Sequence, residues 1–456
     1  MRLAAPRLAV APAIVLAVLA AGCSSGGTPT SDPTPEPTAT PTSAPAETSA
    51  PGKDQRVVYV SREFFVFTIN RDGTERRRIA GEGDAEVSGG VQAQPFVSPG
   101  AQRFPTVYTW PTWSPDGSAV ALSRSPGTEE QSVASLVLLN QGDPAEITLH
   151  TTQRGFVEMV AEGTFHYTQW SPNSEHLSVV APQEGGGRLA LFDVALDGGE
   201  PFEVSADAPL YHVWSPDGTR ILIHRREFLL LHDVRTRETV DLDRQSARYR
   251  VPAFSPDGEE IAFVASGDGS EHLLARNLAS GEERSLWTVR THASFAWSPV
   301  DADLMAAAQR ITIGTFRHDG VELIDTRTGE TRSLFNGAVT AFYWSPDGTK
   351  IAALVDGPRR NSFAWIVIDV DSGDVTNLTP FISSARYLTN LEFFDQFALS
   401  HSPWSADSSA LVVAGGIAPR PEGPSRIWVL DASGETEPQA IAEGRLAFWG
   451  PPGDQQ

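Results

Sequence analysis

The apolar residues of this chain come in short runs separated by turn formers. Runs such as AVAL at 119–122, ILI at 221–223, IAFV at 261–264 and IAAL at 351–354 each follow a cluster of Ser, Pro, Asp and Gly. A second set, LALF at 189–192, FLLL at 228–231, WIVI at 365–368 and IWVL at 427–430, leads to glycine turns such as NLASGE at 277–282, DTRTGE at 325–330 and DASGE at 431–435. A further short run follows, as at 331–335. Runs of this length between turns predict β-strands.

One repeat orders these strands. Its copies are Trp113-Ser-Pro-Asp-Gly117, Trp170-Ser-Pro-Asn173, Trp214-Ser-Pro-Asp-Gly218, Phe254-Ser-Pro-Asp-Gly258, Trp297-Ser-Pro299, Trp344-Ser-Pro-Asp-Gly348, Trp404-Ser-Ala-Asp407 and Trp449-Gly-Pro-Pro-Gly453. The starts lie 57, 44, 40, 43, 47, 60 and 45 residues apart, near the roughly 40–50 residues of a four-stranded propeller blade. Proline presets φ and Asp-Gly accepts the left-handed conformation of a tight hairpin. The tryptophan offers a flat surface to pack between neighbouring blades. The motif is thus a folding signature and not a site.

These residues resemble the WSPDG repeats of TolB-type β-propellers, the WD-like repeats also found in the propeller halves of prolyl-oligopeptidase relatives. The resemblance covers residues 56–453 and implies an all-β chain folded as a single β-propeller of four-stranded blades. Residues 56–80 supply three strands (VVYV, FFVFTIN, ERRRIA) without a preceding motif, and 445–449 (RLAFW) is a lone first strand. The two complete each other, so pairing of the N- and C-terminal strands closes the ring and leaves no open edge. Eight blades are expected, with seven as the alternative if the unit at Trp297 is not a full blade.

The first fifty residues read differently. Arg2 and Arg7 precede an apolar stretch at 8–21, about 14 residues, too short to span a bilayer and suited to a signal peptide (residues 1–22). Leu19-Ala-Ala-Gly-Cys23 resembles a bacterial lipobox, which implies that Cys23 is lipidated and becomes the mature N-terminus. Residues 23–55 contain almost no large apolar side chain and form a Pro/Thr/Ser-rich disordered tether. With 33 Arg to two Lys, the chain looks like a high-GC Gram-positive lipoprotein. The expected location is extracytoplasmic, lipid-anchored to the outer face of the bacterial cell membrane. Residues 454–456 are a tail.

Charge and cysteine content narrow the partners. A net charge of -22 argues against nucleic acid and anionic headgroups, so membrane contact is expected only through the Cys23 lipid. One cysteine excludes an intrachain disulfide framework and a cysteine-based zinc site. Asp369-Val-Asp371-Ser-Gly373-Asp374 hints at a calcium loop, but its place among the glycine turns favours a plain hairpin.

Function is expected on the face that carries the connections from one blade to the next. Three are long, at 81–107, 151–164 and 380–400, and they cluster over one half of that face. The last is rich in Phe, Leu and Tyr and could form a short helix, either exposed to a partner or folded over the channel as a plug. First strands line the channel, and the residues before each motif approach its mouth: Tyr108, Trp110, His166, Tyr167, Tyr211, His212, Arg250, His292, Tyr343, His401 and Arg445. Together they are the candidate binding residues. The histidines fall four, two, five and three residues before the motif tryptophan, so strand alternation turns only about half inward, which favours packing over a metal cluster. No catalytic residue, metal site or cofactor is assigned.

The leading expectation is a cell-envelope lipoprotein, monomeric and not an enzyme, whose propeller binds or scaffolds an extracytoplasmic protein, peptide or small glycan. The alternative is a carbohydrate-active enzyme. Some TolB-like propellers are metal-dependent polysaccharide lyases, which would enlist His166, His212, His292, His401 and Arg250. A substrate-gating role like that of prolyl-oligopeptidase propellers would require a catalytic partner in trans.

Overall fold

Each Ser-Pro-Asp-Gly segment folds into a turn knit by its own side chains. The serine Oγ donates to the Asp or Asn Oδ1 at 2.5–2.6 Å in Ser114–Asp116, Ser171–Asn173, Ser215–Asp217, Ser255–Asp257, Ser345–Asp347 and Ser405–Asp407. The same oxygen accepts the backbone N–H five residues on, at 2.9 Å in all six. One hydroxyl therefore fixes both ends of the hairpin. Gly117, Gly218, Gly258 and Gly348 take φ of 71–73°, where a Cβ is penalised, and Ser174 and Ser408 occupy the same region in the two divergent copies.

The computed structural model describes residues 55–81, 107–125, 132–138, 146–148, 159–161, 167–182, 188–196, 201–312, 314–417 and 423–451, all within the compact unit 50–456. The signal segment, Cys23, the tether up to residue 54, His166 and nearly all of the 81–107 and 151–164 connections lie outside the described residues. Gln55 does not belong with the tether: it is buried, and its carbonyl accepts the Arg71 N–H at 2.9 Å.

The fold is all-β, a propeller of antiparallel sheets. Among the described residues four sheets have four strands, one has five, and one has eleven, ten of them along a single path. The large sheet arises because Thr331–Trp344 is continuous, where the sequence suggests separate strands at 331–335 and before Trp344, and because Phe381–Ser383 pairs with the strands on both sides of it. The first half of Thr331–Trp344 pairs with the 318–325 strand and its second with the 350–356 strand, so it leaves one sheet as the outermost strand and enters the next as the innermost. Because all pairing is antiparallel, the motif turns and the glycine turns share one face. The hairpins between second and third strands and the inter-sheet connections share the other.

Closure follows the expected pattern. Arg56–Val60 pairs antiparallel with Leu446–Trp449, Val57 opposite Trp449 and Val60 opposite Leu446. At the seam a Cβ on Gly450 would meet the Trp113 ring at 3.0 Å and the Arg56 carbonyl at 3.2 Å, so the last motif carries glycine where its relatives carry serine. The Asp369 segment is a hairpin: the Asp369 N–H bonds the Asp374 carbonyl at 2.9 Å and Gly373 has φ 76°.

The motif tryptophans do more than fill space. Trp170 Nε1 donates to the Thr112 carbonyl at 3.0 Å, Trp214 to Gln169 at 3.3 Å, Trp344 to Ala296 at 3.1 Å and Trp404 to Tyr343 at 3.1 Å. Each acceptor is the residue just before the preceding unit's motif aromatic. Trp297 follows Phe254 and instead bonds its own turn at Ala302. Trp113 and Trp449, which flank the seam, have buried Nε1 atoms without hydrogen-bond partners among the described residues.

A prediction follows from this asymmetry. Trp404→Phe removes the indole hydrogen bond to the Tyr343 carbonyl and should cost about 0.5–1.5 kcal/mol beyond the packing loss, whereas Trp449→Phe should show the packing loss alone. Urea unfolding of the two variants checks this; equal losses would mean that the indole bond contributes nothing.

Candidate functional site

Residues 380–400 fold inward. Phe381–Ser383 adds a short strand to its sheet, then come α1 (Ala385–Glu392) and α2 (Phe394–Phe397). Ser384 caps α1, accepting the Tyr387 N–H at 3.2 Å, while its hydroxyl donates to the Arg445 carbonyl at the closure strand. Tyr387, Leu391, Phe394 and Phe397 are spaced to form one face and are 0–4% exposed. Of the two expectations for this loop, the plug describes its apolar side chains; Leu399 stands out at 71% exposure.

The cap is tied to strands all round the mouth. Tyr387 Oη donates to the Val412 carbonyl at 2.7 Å and Thr112 Oγ1 to the Ser400 carbonyl at 3.0 Å. A bulge in the 107–113 strand puts Trp110 at φ 53° and lays its ring flat on Phe397, 5.0 Å between centroids. The strongest tie is Arg250 with Asp395, which form a bidentate pair at 2.6 and 2.8 Å with both side chains only 5% exposed. Arg250 also donates to the Glu392 carbonyl at 3.2 Å and faces the Phe393 ring. Ser294 Oγ reaches Asp395 at 3.2 Å.

The described mouth candidates therefore meet around a cap and not around an open channel. Tyr108, Tyr167, His212, Arg250, Tyr343 and His401 are buried, and as members of an open pocket these six are corrected to interior residues: Tyr167, Arg250, Tyr343 and His401 meet the 380–400 segment directly, and His212 packs behind Tyr167. Trp110, Tyr211, His292 and Arg445 keep partial exposure. His212 bonds Ser178 Oγ at 2.6 Å, while His401 bonds Ser400 Oγ at 2.7 Å and packs on Phe448. Burial pushes His212 and His401 from 6.5 down to about 3, and His292 to about 4 with help from Arg310 and Arg250. Among the described residues no group of three His, Cys, Asp or Glu converges as metal ligands.

Beside the cap opens a cleft of about 670 Å³. Its walls are α1, through Leu388 and Glu392, and the hairpins 309–318 and 356–363. Phe316 and Phe363 give it apolar surface, and Arg317, Arg359 and Arg360 give it cations. Arg317 pairs with Asp356 across the two hairpins. Burial raises the Glu392 carboxyl above its ordinary range. Sequence reasoning missed this cleft: both hairpins are short, and only the inward fold of 380–400 supplies the third wall. The one legible signal was the Pro-Arg-Arg-Asn run at 358–361 in a chain otherwise so acidic.

No protein-family model matches the chain. The uncharacterized peptidase YuxL of Bacillus subtilis is 27% identical over 161 residues, 35% of this chain and 22% of that protein, so the chain spans well under two thirds of this curated relative. Solved structures with a similar fold include the dihydro-heme d1 dehydrogenase NirN (TM-score 0.52, 13% identity, 87% of this chain and 75% of that one) and a eukaryotic initiation factor (TM-score 0.50, 11% identity, 87% and 98%). TolB from Acinetobacter baumannii is also among them, at TM-score 0.36 and 19% identity over 76% of this chain and 83% of that one. At such identities the likeness concerns the fold: the chain is a β-propeller.

Two predictions concern the cap. Arg250→Ala strands Asp395 in a buried site and should cost about 3–5 kcal/mol, and adding Asp395→Ala should recover part of it; thermal unfolding of the single and double variants decides. The second is a pH dependence. His212 and His401 stay neutral in the fold while their unfolded counterparts take up protons below about 6.5, so stability is full above that value and falls as pH drops toward about 3. The slope should approach about 1.4 kcal/mol per pH unit for each such histidine. A denaturation midpoint that stays flat between about pH 7 and about pH 4 contradicts this.

Proposed function

We propose that this protein is a lipid-anchored, extracytoplasmic binding propeller of the TolB-like kind, held at the outer face of the membrane through Cys23 and the tether up to residue 54. Its partner is an envelope protein or peptide, docked in the cleft between α1 and the hairpins 309–318 and 356–363. The body carries eight blades, counting the closure unit once and dividing the eleven-stranded sheet within Thr331–Trp344 and at the 381–383 strand.

The observation that carries this reading is the cleft. It joins apolar surface (Phe316, Phe363, Leu388) to cations on a rigid frame, the mixture expected of a specific recognition site. Exposed Arg360 has no hydrogen bond or ion pair among the described residues. The lipobox-like Cys23 and the presence of TolB among the structural neighbours support the envelope setting. No helix among the described residues is long and apolar enough to cross a membrane.

The test places a photo-crosslinker at Asn361 in the cleft or at Ser280 on the opposite face of the full-length protein, in its own membranes. A partner should be trapped at Asn361 and not at Ser280. Arg360→Glu should weaken its binding at least about tenfold, or about 1.4 kcal/mol, and Cys23→Ala should release the protein from the membrane. Equal trapping at both positions, or none, overturns the assignment of the cleft.

A further inference from the structure

Arg310 stands beside the cap at the start of the 309–318 hairpin. Its N–H bonds the His292 carbonyl at 2.9 Å, and it bridges His318. Its guanidinium lies against the Phe316 ring at 5.6 Å but makes no hydrogen bond or ion pair among the described residues, and its Nε is a buried atom without a partner. His292 Nδ1 is in the same condition. The nearby Arg250 is fully engaged by Asp395 and the Glu392 carbonyl.

The charges in this corner do not cancel. Arg250 and Asp395 pair with each other, which leaves Arg310 without an ion-pair partner among the described residues, within a chain of net charge -22. Its surroundings are partly open: Tyr211, His292, Arg310, Phe316 and Phe393 all keep partial exposure. Tyr211, His292 and His318 all sense Arg310, Arg250 or Asp395 electrostatically.

We propose that Arg310, with His292 and Tyr211 beside it, forms a subsite for an oxyanion, the carboxylate or phosphate group of a bound ligand. This deepens the reading of the capped face as a binding face and rests on it. A guanidinium presents several N–H donors in a planar fork that matches a carboxylate or phosphate edge. A partly buried cation without a counter-ion is costly, and an arriving anion removes that cost. The Tyr211 hydroxyl and one imidazole N–H can donate to the remaining lone pairs. Phe316 both contacts Arg310 and lines the cleft, so one ligand can fill the cleft and place its anionic group at Arg310.

The experiment titrates inorganic phosphate or acetate into the full-length protein at constant ionic strength, with chloride as reference. The His292 imidazole is followed by NMR and assigned with His292→Gln. Phosphate or acetate should give a saturable shift that chloride does not, and at saturation the His292 pKa should rise from about 4, because a neighbouring anion favours the imidazolium. Arg310→Gln should abolish the saturable response and Arg310→Lys should keep it in weakened form. If His292 responds to phosphate and acetate just as it does to chloride, the subsite does not exist. That comparison uses the unmodified protein, so it stands even where Arg310→Gln folds poorly. A saturable response retained in a well-folded Arg310→Gln would also overturn the proposal. Since no macromolecular partner is involved, the result is distinguishable from a failure of the cleft crosslinking.

Discussion

The carbonyl before each motif aromatic is the point at which one unit of this propeller grips the next. In four units the following tryptophan reaches back and donates its indole N–H to that carbonyl. Donor and acceptor both lie at the motif ends of innermost strands, so each bond ties the inner edge of one sheet to the inner edge of its neighbour. A sheet alone would bury one face at best; stacked radially and stitched in this way, each buries both. Where the stitch is missing, other devices stand in. Trp297 turns to its own hairpin, and at the seam Gly450 lets Trp113 approach closely while strand pairing joins the chain ends.

A ring of this kind leaves a central mouth, and the chain fills its own. The 380–400 segment places one apolar helical face on the innermost strands and a carboxylate, Asp395, in reach of Arg250. A buried ion pair is a poor source of stability but a strict one for position, since either charge left alone in that environment is costly. It sets where the cap sits, and so which part of the mouth remains partly open. The cleft beside α1 and the exposed side of Arg310 are both consequences of that placement.

The chemistry of the capped face differs from that of the molecule as a whole. An acidic chain repels polyanions at long range, yet the cleft gathers three arginines and the adjoining corner holds a fourth without a counter-ion. That combination suits a ligand with a localised anionic group and apolar surface more than a uniformly charged polymer. The buried histidines His212 and His401 lie away from that corner, on the Phe397 side of the cap, each held neutral by desolvation.

The repeat, its strands and the closure were legible from the amino acids because local chemistry dictates them. Ser-Pro-Asp-Gly makes its turn with bonds spanning at most five residues, and short apolar runs between such turns can only be strands. A short helix in 380–400 was legible for the same reason. The candidate site was not. Arg250 and Asp395 are 145 positions apart, and the hairpins carrying Arg310 with Phe316 and Arg359 with Phe363 belong to different units from Leu388, so no periodicity announces their proximity. Six of the aromatic and titratable residues before the motifs, picked out by their position on first strands, do converge, but around a cap. Whether that apolar segment would face outward or fold inward depended on the shape of the space beneath it and on one distant arginine. Short-range bonding determined the blades, and long-range burial and charge pairing decided what the mouth became.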